Sequence, residues 1–295
     1  MALPPDRDAA AREFQFTEQD FQRVRKLIYD HAGISLSDSK MDMVYSRLGR
    51  RLRITGLSSF REYLALLEKN DAAEWEAFVN SLTTNLTSFF REPHHFPILA
   101  DHIRKIRHRQ PIQLWCNAAS TGEEPYTMAM TMVDVFGSYN PPVHILATDL
   151  DTHVLKTAQS GIYSADRVDK LPQDILQRFF VEAAGGTGHV QVRPELRKMI
   201  TFRQLNLLDS NWPIRGPFDA VFCRNVMIYF DKATQQKVLR KLLPVMRSDA
   251  LLFAGHSESF QHAADLFQIQ GRTVYTVADQ ARSMAVAVTP TYVRP

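Results

Sequence analysis

Two apolar runs of this sequence each end in residues suited to holding a nucleotide. The first run, Ile112–Cys116, opens into a loop of small residues that includes Gly122, and Pro125 marks the first turn of a helix. The second run ends at Asp149. In a doubly wound sheet a nucleotide lies across such a loop, and an acid at the tip of the next strand accepts hydrogen bonds from the ribose hydroxyls. The pattern therefore predicts a site for an adenosine-containing ligand.

The composition of the loop restricts the ligand further. A pyrophosphate requires several glycines and a helix N-terminus without negative charge, but only Gly122 is present and Glu123 and Glu124 follow it directly. These carboxylates would repel phosphate, whereas they are compatible with the cationic sulfonium of S-adenosylmethionine. The loop therefore favours S-adenosylmethionine, with S-adenosylhomocysteine as its product, over NAD. Alternatively, the glutamates only complement the dipole of the following helix, and for Glu124 that explanation is at least as good.

The elements that position these residues fall into two blocks. Residues 14–83 have helical periodicity without strand alternation, which predicts an all-helical N-terminal domain. After a connector at 84–98, strand and helix patterns alternate over 99–280, as is typical of parallel strands with crossover helices. Residues 281–295 are expected to form a loose tail. The predicted fold class is α/β, a Rossmann-like sheet ending in an antiparallel hairpin and preceded by an all-α domain.

One segment interrupts the alternation of strands and helices. Short strand-like runs flank a glycine-rich turn at 185–188, and residues 178–203 are predicted to form a small inserted antiparallel β subdomain. The run His189–Arg193 alternates, so an exposed edge there would accept an added peptide strand. The alternative is a structural cover for the edge of the main sheet, and the sequence supports both equally.

The predicted second helix of the N-terminal block is strongly basic. No acidic residue occurs between Met43 and Phe60. The arginines of this stretch are Arg47, Arg50, Arg51 and Arg53. One interpretation is an ordinary solvated face. The other is a docking face for an acidic helix, and the missing counter-charges make the two equally well supported.

Composition excludes several classes of protein. The chain has 295 residues, 45% of them hydrophobic, and a net charge of only +3, which does not indicate nucleic-acid binding. No apolar run has the length of a signal peptide or a membrane span. Cys116 and Cys223 fall in predicted buried strands and are expected to be reduced core residues. We therefore expect a cytoplasmic enzyme without a metal site.

Five motifs together resemble the chemotaxis receptor methyltransferase family, CheR. They are, in chain order, Asn85–Glu92, Ala119–Tyr126, Ala147–Asp151, Arg224–Phe230 and Gly255–Glu258. The resemblance extends from about Phe16 to Val277. It implies a class I methyltransferase fold and S-adenosylmethionine-dependent methylation of glutamate side chains on the cytoplasmic helices of methyl-accepting chemoreceptors. It further implies that the β subdomain, as in some members, tethers the enzyme to the C-terminal peptide of the receptor.

The resemblance also implies roles for individual residues. Spacing alone would make Arg91 a surface residue and Tyr229 a core residue, but both coincide with methyl-site residues of the family. Arg91 would align the substrate carboxylate, and because a carboxylate is already ionised at neutral pH, no general base is required. The strand geometry and the resemblance together give these cofactor contacts: Asn85, Thr87, Arg91, Ala119, Glu123, Asp149, Asn206, Leu207, Arg224 and Asn225.

Two other classes of function remain open at this point. Another methyltransferase, acting on a small molecule or nucleic acid, would share the sheet but would not need a basic helical domain. A non-catalytic module that senses S-adenosylmethionine would bind the cofactor without turnover. For the favoured interpretation we expect a monomer, without direct membrane insertion, that is recruited to receptor clusters.

Overall fold

The computed structural model describes residues 12–287 except 70, 184, 185 and 187. The chain divides into two compact units, Met1–Thr83 and Thr84–Pro295. Among the described residues, no helix combines the length and the apolar character needed to cross a bilayer.

The described part of the first unit is built from helices. They are α1 (Glu18–Ala32), α2 (Met41–Thr55), α3 (Phe60–Glu68) and α4 (Ala72–Leu82), with a 3₁₀ turn at Asp38–Lys40. A capping box fixes the start of α1, because Thr17 Oγ1 accepts from the N–H of Asp20 and the Asp20 carboxylate accepts from the N–H of Thr17. Gly56 ends α2 with φ at 71°, in the left-handed region that favours glycine. The apolar side of α2 is buried at Val44, Leu48 and Leu52, as its periodicity predicts.

The second unit contains a large and a small sheet. The strands are β1 (Ile112–Cys116), β2 (Val143–Asp149), β3 (Ile162–Ser164), β4 (Phe180–Glu182), β5 (His189–Val192), β6 (Ile200–Gln204), β7 (Phe218–Cys223), β8 (Met246–Ala254), β9 (Phe267–Gly271) and β10 (Val274–Val277). The helices are α5 (His95–Ile106), α6 (Glu123–Phe136), α7 (Thr152–Ser160), α8 (Ala165–Val168), α9 (Gln173–Phe179), α10 (Pro194–Lys198) and α11 (Lys232–Leu242).

The large sheet has the strand order β6-β2-β1-β7-β8-β10-β9. The five strands from β6 to β8 are parallel, whereas β10 runs antiparallel to both of its neighbours. The chain moves outward from β1 to β6 and then returns to β7 on the other side of β1. Ligands of open α/β sheets bind at such a switch point, beyond the carboxyl ends of the strands. The predicted α/β class with a closing antiparallel hairpin is confirmed.

The interior of the large sheet is covered on both faces. All six residues of β7 are buried, as expected of a central parallel strand. Cys116 packs in the apolar cluster on one face, and Cys223 packs in the cluster on the other face. Both thiols are free and buried, as predicted.

The small sheet corrects one prediction. Its strand order is β3-β5-β4, so β5, the strand predicted to offer a free edge, is paired on both sides. The local hairpin pattern predicted β4 and β5 but gave no sign of β3, which precedes α8 and α9 in the chain. The subdomain therefore begins before residue 178, and β6 at its predicted end belongs to the large sheet. The predicted turn at 185–188 lies partly outside the described residues.

The expected loose tail is wrong for its first part. Residues Asp279–Met284 form a 3₁₀ helix in which Ala281 is buried. Beyond it, Val286 donates a hydrogen bond to the carbonyl of Met246 at 2.9 Å and accepts one from Ser248 at 2.9 Å. These contacts attach the segment to the start of β8, and residues 288–295 lie outside the described residues.

Candidate active site

The loop after β1 folds around the carboxylate that ends β2. Asp149 accepts hydrogen bonds from the N–H groups of Ser120 at 2.8 Å and Asp151 at 2.9 Å, one on each oxygen. Ala119 N–H donates to the carbonyl of Thr148 at 2.9 Å. Burial raises the pKa of Asp149 to about 6, although the backbone N–H groups of Asp151, Ser120 and Leu150 oppose the shift. A carboxylate has about four acceptor positions, so Asp149 can also accept a hydrogen bond from a ribose hydroxyl.

Packing also explains the small residues of this loop. Gly122 has φ at 98°, and a Cβ at this position would lie 2.8 Å from the Cβ of Ala158 and 2.9 Å from the hydroxyl of Tyr163. Only glycine satisfies both the conformation and the space. Ser120 also has a positive φ, 48°, which is unusual for a residue with a side chain. The loop is therefore held in a strained form close to α7, as is common where a ligand binds.

The two glutamates after Gly122 are buried and paired with arginines. Glu123 is fully buried and forms an ion pair with Arg167. Glu124 Oε2 lies 2.6 Å from Nη1 of Arg224, and its other oxygen accepts from the thiol of Cys116 at 3.2 Å. Burial raises the pKa of Glu124, and the positive charge of Arg224 opposes this shift. A helix dipole alone therefore does not explain Glu124, which has a specific partner.

Arg224, a predicted cofactor contact, uses its side chain to hold neighbouring protein groups. Its guanidinium is fully buried and bonds to Glu124 on one side. On the other side Nη2 donates to the carbonyl oxygen of Arg91 at 2.6 Å and lies 3.4 Å from Oε2 of Glu92. A contact between the backbone of Arg224 and the cofactor stays a prediction.

The connector that begins the second unit is attached to the same loops. Asn85 Nδ2 donates to Asp151 at 2.8 Å, and Ser120 Oγ donates to the carbonyl of Asn85 at 2.9 Å. Further along, the N–H of Phe90 donates to Thr127 Oγ1 at 3.2 Å. Asn85 therefore lies against the loops after β1 and β2, and Phe90 lies against α6.

Arg91 is partly exposed within this segment. One guanidinium nitrogen, Nη1, donates to the carbonyl of Leu86 at 2.7 Å. This bond orients the side chain and leaves other N–H donors for a carboxylate, since a guanidinium has five. The residues on either side, Phe90 and Glu92, have φ of 53° and 54°, in the left-handed region. Such strain on both sides of one polar side chain is typical of a functional segment.

Glu92 stands at the centre of several charged groups. Burial would raise its pKa, but hydrogen bonds from His256 and the charge of Arg224 lower it to about 2. Three possible metal-ligating atoms, from Glu92, His94 and His95, lie within 4.8 Å of one another. The guanidinium of Arg224 places a positive charge against the same carboxylate, which opposes the binding of a cation there.

Tyr229 and Asn225 lie in the segment that follows β7. Asn225 has φ at 58°, and Tyr229 ends a 3₁₀ turn, Met227–Tyr229, with its ring half-buried against the apolar cluster. Ile228 beside it is 50% exposed. Tyr229 therefore lies half-buried next to an exposed residue.

The remaining predicted cofactor contacts follow β6 and the connector. Leu205 N–H donates to the carbonyl of Asp149 at 3.0 Å, so Asn206 and Leu207 continue from the same sheet edge. Thr87 lines a cavity of about 600 Å³ between the connector and the α8 to α9 region. The predicted contacts thus come from four of the five motifs and from the residues that follow β6.

The site also contains a polar group whose hydrogen bonds are not satisfied by the described residues. Asn117 follows β1 directly and is buried, and apart from an interaction with the thiol of Cys223 its amide has no hydrogen-bond partner among the described residues. Buried polar groups are normally paired. Together with the carboxylate of Asp149, this amide offers hydrogen bonds to an adenosine-containing ligand such as S-adenosylmethionine.

The basic helix α2 belongs to the first unit and also has partners there. Arg51 forms a two-bond ion pair with Glu74, at 2.7 and 3.0 Å, and the hydroxyl of Tyr63 donates to the same carboxylate. Arg53 lies 2.6 Å from Glu13, and Arg47 donates to backbone carbonyls, one of them at 2.6 Å. Arg51 and Arg53 therefore have counter-charges elsewhere in the sequence, whereas the partners of Arg47 are uncharged carbonyl groups.

Arg50 is different from the other three arginines. It is exposed and forms no ion pair within the described part of the chain. Ile54, one helical turn further on the same side of α2, is 70% exposed. The exposed basic surface of α2 is therefore smaller than the sequence predicted, because Arg51 is largely buried in its ion pair.

Comparison with known proteins places this geometry in a family. The family model "CheR methyltransferase, SAM binding domain" matches residues 85–276, and "CheR methyltransferase, all-alpha domain" matches residues 19–83. "Chemotaxis protein methyltransferase 2" of Pseudomonas aeruginosa is 50% identical over 269 residues, covering 90% of this chain and 96% of that protein. "Chemotaxis protein methyltransferase" of Escherichia coli is 52% identical over 264 residues, covering 89% and 92%. The chain therefore belongs to the CheR family of S-adenosylmethionine-dependent methyltransferases.

Proposed function

We propose that this protein transfers the methyl group of S-adenosylmethionine to glutamate carboxylates on the cytoplasmic helices of a methyl-accepting chemoreceptor. The products are glutamate methyl esters and S-adenosylhomocysteine, and the reaction serves chemosensory adaptation. The observation that carries the proposal is identity of about half of all residues to chemotaxis methyltransferases over nine-tenths of the chain. The enzyme acts as a monomer in the cytoplasm and is recruited to receptor clusters through its substrate.

The cofactor would be held by residues at the carboxyl edge of the large sheet. Asp149 would accept hydrogen bonds from the ribose hydroxyls. The buried Glu123 and the amide of Asn117 would complete the polar lining of the cofactor site. When bound, S-adenosylmethionine supplies an electrophilic methyl group on a sulfonium. The protein's own contribution is to position the substrate and to balance its charge.

Arg91 is the residue we assign to the substrate carboxylate. Its carbonyl oxygen accepts a hydrogen bond from Arg224, and its Nη1 donates one to the carbonyl of Leu86. These two bonds define the position of the guanidinium and leave its other N–H donors for the substrate. A planar guanidinium pairs with a carboxylate through two parallel hydrogen bonds. Tyr229, at the end of its 3₁₀ turn, is assigned to the methyl-transfer centre, beside the methyl donor.

Recognition of the receptor helix is assigned to the exposed part of α2. Arg50 supplies a charge for acidic residues of the receptor, Ile54 supplies an apolar contact, and Arg53 contributes despite its exposed pair with Glu13. Exposed ion pairs contribute little free energy, so Arg53 can exchange Glu13 for a receptor carboxylate. Arg51 and Arg47 serve the fold of the first unit instead.

The small sheet is assigned to the C-terminal peptide of the receptor. Since β5 is paired on both sides, the peptide adds to an edge strand, β3 or β4. Backbone hydrogen bonds along such an edge give affinity without changing the chemistry, and they raise the local concentration of substrate.

Transfer of a labelled methyl group tests the proposal. Purified protein is incubated with labelled S-adenosylmethionine and candidate receptor cytoplasmic domains, and label released by mild base reports methyl esters. We expect base-labile label on receptor, and none on receptor whose candidate glutamates are replaced by alanine. Label on RNA or small molecules but on no receptor would replace this function with another methyltransferase activity. Cofactor binding without any transfer would identify a sensing module.

A further inference from the structure

A single carboxylate holds the segment that presents Tyr229. Glu258 Oε1 accepts hydrogen bonds from the N–H groups of Val226 at 3.0 Å and Met227 at 2.8 Å. Its other oxygen accepts from Asn225 at 2.9 Å and from Gly255 at 2.5 Å. Four backbone donors on one side chain fix the course of the chain from 225 to 227.

The surroundings of Glu258 permit little movement. The residue is 5% exposed, and burial raises its pKa although backbone N–H groups, among them those of Gly255, Asn225 and Met227, stabilise the charged form. A Cβ at Gly255 would lie 2.4 Å from Nδ2 of Asn225 and 2.9 Å from Oε2 of Glu258. The loop after β8 and the loop after β7 are therefore in direct contact, and the contact requires glycine.

The same short loop also reaches the segment that presents Arg91. His256 donates its backbone N–H to Oε1 of Glu92 at 3.2 Å, and its Nδ1 lies 3.0 Å from the same oxygen. Glu92 directly follows Arg91 and has a left-handed backbone. Gly255–Glu258 thus binds, through adjacent residues, both segments to which the methyl-transfer chemistry is assigned.

We propose that Gly255–Glu258 acts as a clamp that sets the distance between the Arg91 segment and the Tyr229 segment. Glu258 and His256 are positioning residues, and neither touches the reacting atoms. The proposal rests on the function proposed above and adds a role for a motif to which the sequence assigned none. Because misplacement by about 1 Å can reduce an in-line transfer roughly 100-fold, the clamp controls turnover.

Two variants and two matched controls test the clamp. Glu258→Gln replaces an acceptor oxygen with an NH₂ group that opposes two N–H donors, and His256→Ala removes the side-chain contact with Glu92. Glu195→Gln and His108→Ala make the same chemical changes at exposed positions. For each protein we measure kcat and KM with a receptor cytoplasmic domain, the affinity for S-adenosylhomocysteine, the melting temperature, and hydrogen exchange of residues 225–227 and 90–92.

We expect His256→Ala to lower kcat about 3- to 10-fold while cofactor affinity and melting temperature stay at wild-type values. His256→Gln, which retains a donor, should restore part of that loss. Glu258→Gln should speed exchange at 225–227 and lower kcat at least 10-fold, and weaker S-adenosylhomocysteine binding should accompany this through Asn225. Both controls should match wild type.

Wild-type kcat in His256→Ala and unchanged exchange in Glu258→Gln would overturn the clamp. If Glu258→Gln does not fold, His256→Ala alone decides, since its side chain is 68% exposed and its loss leaves the core intact. Failure of the proposed function gives a different result, because wild-type protein would then transfer no label while the exchange measurements still report on the clamp.

Discussion

The guanidinium of Arg224 donates a hydrogen bond of 2.6 Å to the carbonyl oxygen of Arg91, and the same group is paired with Glu124. The residue assigned to the substrate is thus connected to the helix that follows the cofactor loop. Glu124 and Glu92 both lie against the guanidinium of Arg224. Movement of either carboxylate would shift this guanidinium and, through it, the backbone of Arg91. The buried ion pairs of Arg224 therefore help to position Arg91 as well as to stabilise the fold.

The first prediction concerns Arg91. Arg91→Ala should retain S-adenosylhomocysteine affinity within a few-fold and lower kcat on the order of 100-fold, because it removes a contact made mainly in the transition state. Calorimetry and labelled transfer measure the two quantities. Arg215→Ala, at an exposed position, is the control. Near-normal turnover of Arg91→Ala would remove this residue from the mechanism.

Replacing Arg224 should affect stability first. Arg224→Met keeps the length of the side chain but leaves Glu124 and Glu92 without their cation, and an uncompensated buried charge costs about 3–5 kcal/mol. We expect urea unfolding of the second unit to shift by that amount at pH 7. Arg203→Met, at an exposed position on β6, should shift unfolding by less than about 0.5 kcal/mol. Equal stability of the two variants would mean that the network is not energetically coupled.

Cofactor affinity should depend on the ionisation of Asp149. Its folded pKa of about 6 lies above the ordinary value of 3.8, so in the cofactor-free protein its contribution to stability is greatest at low pH and is lost as pH rises through about 4 to 6. Ribose hydroxyls donate to the ionised form, so binding has the opposite dependence. Affinity for S-adenosylhomocysteine should fall as pH drops below about 6.

The matching variant is Asp149→Asn. It should bind S-adenosylhomocysteine about 1–3 kcal/mol more weakly at pH 7 and lose the part of the pH dependence that Asp149 causes. Calorimetry between pH 5 and pH 8 measures both. A variant with wild-type affinity and an unchanged profile would show that another residue contacts the ribose.

Replacing Arg50 should affect receptor binding, whereas replacing Arg51 should affect the stability of the first unit. Arg50→Ala should raise KM for the receptor and reduce its dependence on ionic strength without changing stability, since the side chain is exposed. Arg51→Ala should instead destabilise the first unit by about 1–3 kcal/mol, because Glu74 remains largely buried without its cation. Methylation across a salt series and urea unfolding distinguish them. An identical salt dependence in wild type and Arg50→Ala would leave this face as ordinary surface.

Local patterns predicted the main sheet and the loop that follows β1. Ile112–Cys116 and the run ending at Asp149 are strands whose apolar character is visible within a few residues, and their ends meet because parallel strands share an edge. The same reasoning failed for β5, since its second partner, β3, lies two helices earlier in the chain. Pairing between distant segments leaves no periodic signal in either one.

Charged residues were predicted less well for a similar reason. The counter-charge of Arg51 is Glu74, on a different helix, and the partners of Arg224 are distant in sequence from it. Motif resemblance marked Arg224 as a cofactor contact without revealing its buried ion pairs. Glu258 was part of a recognised motif, but four N–H donors converging on one carboxylate are visible only in three dimensions.

The attachment of Val286 to the first residues of β8 makes a specific labelling position available. Met284 is 46% exposed, and both natural thiols are buried in the sheet, so Met284→Cys would provide one reactive thiol on the folded protein. The nine residues of β8 separate its start from the loop that carries Glu258 by about 30 Å. A fluorophore or surface linker at residue 284 would therefore report on receptor binding in real time while leaving the carboxyl edge of the sheet unobstructed.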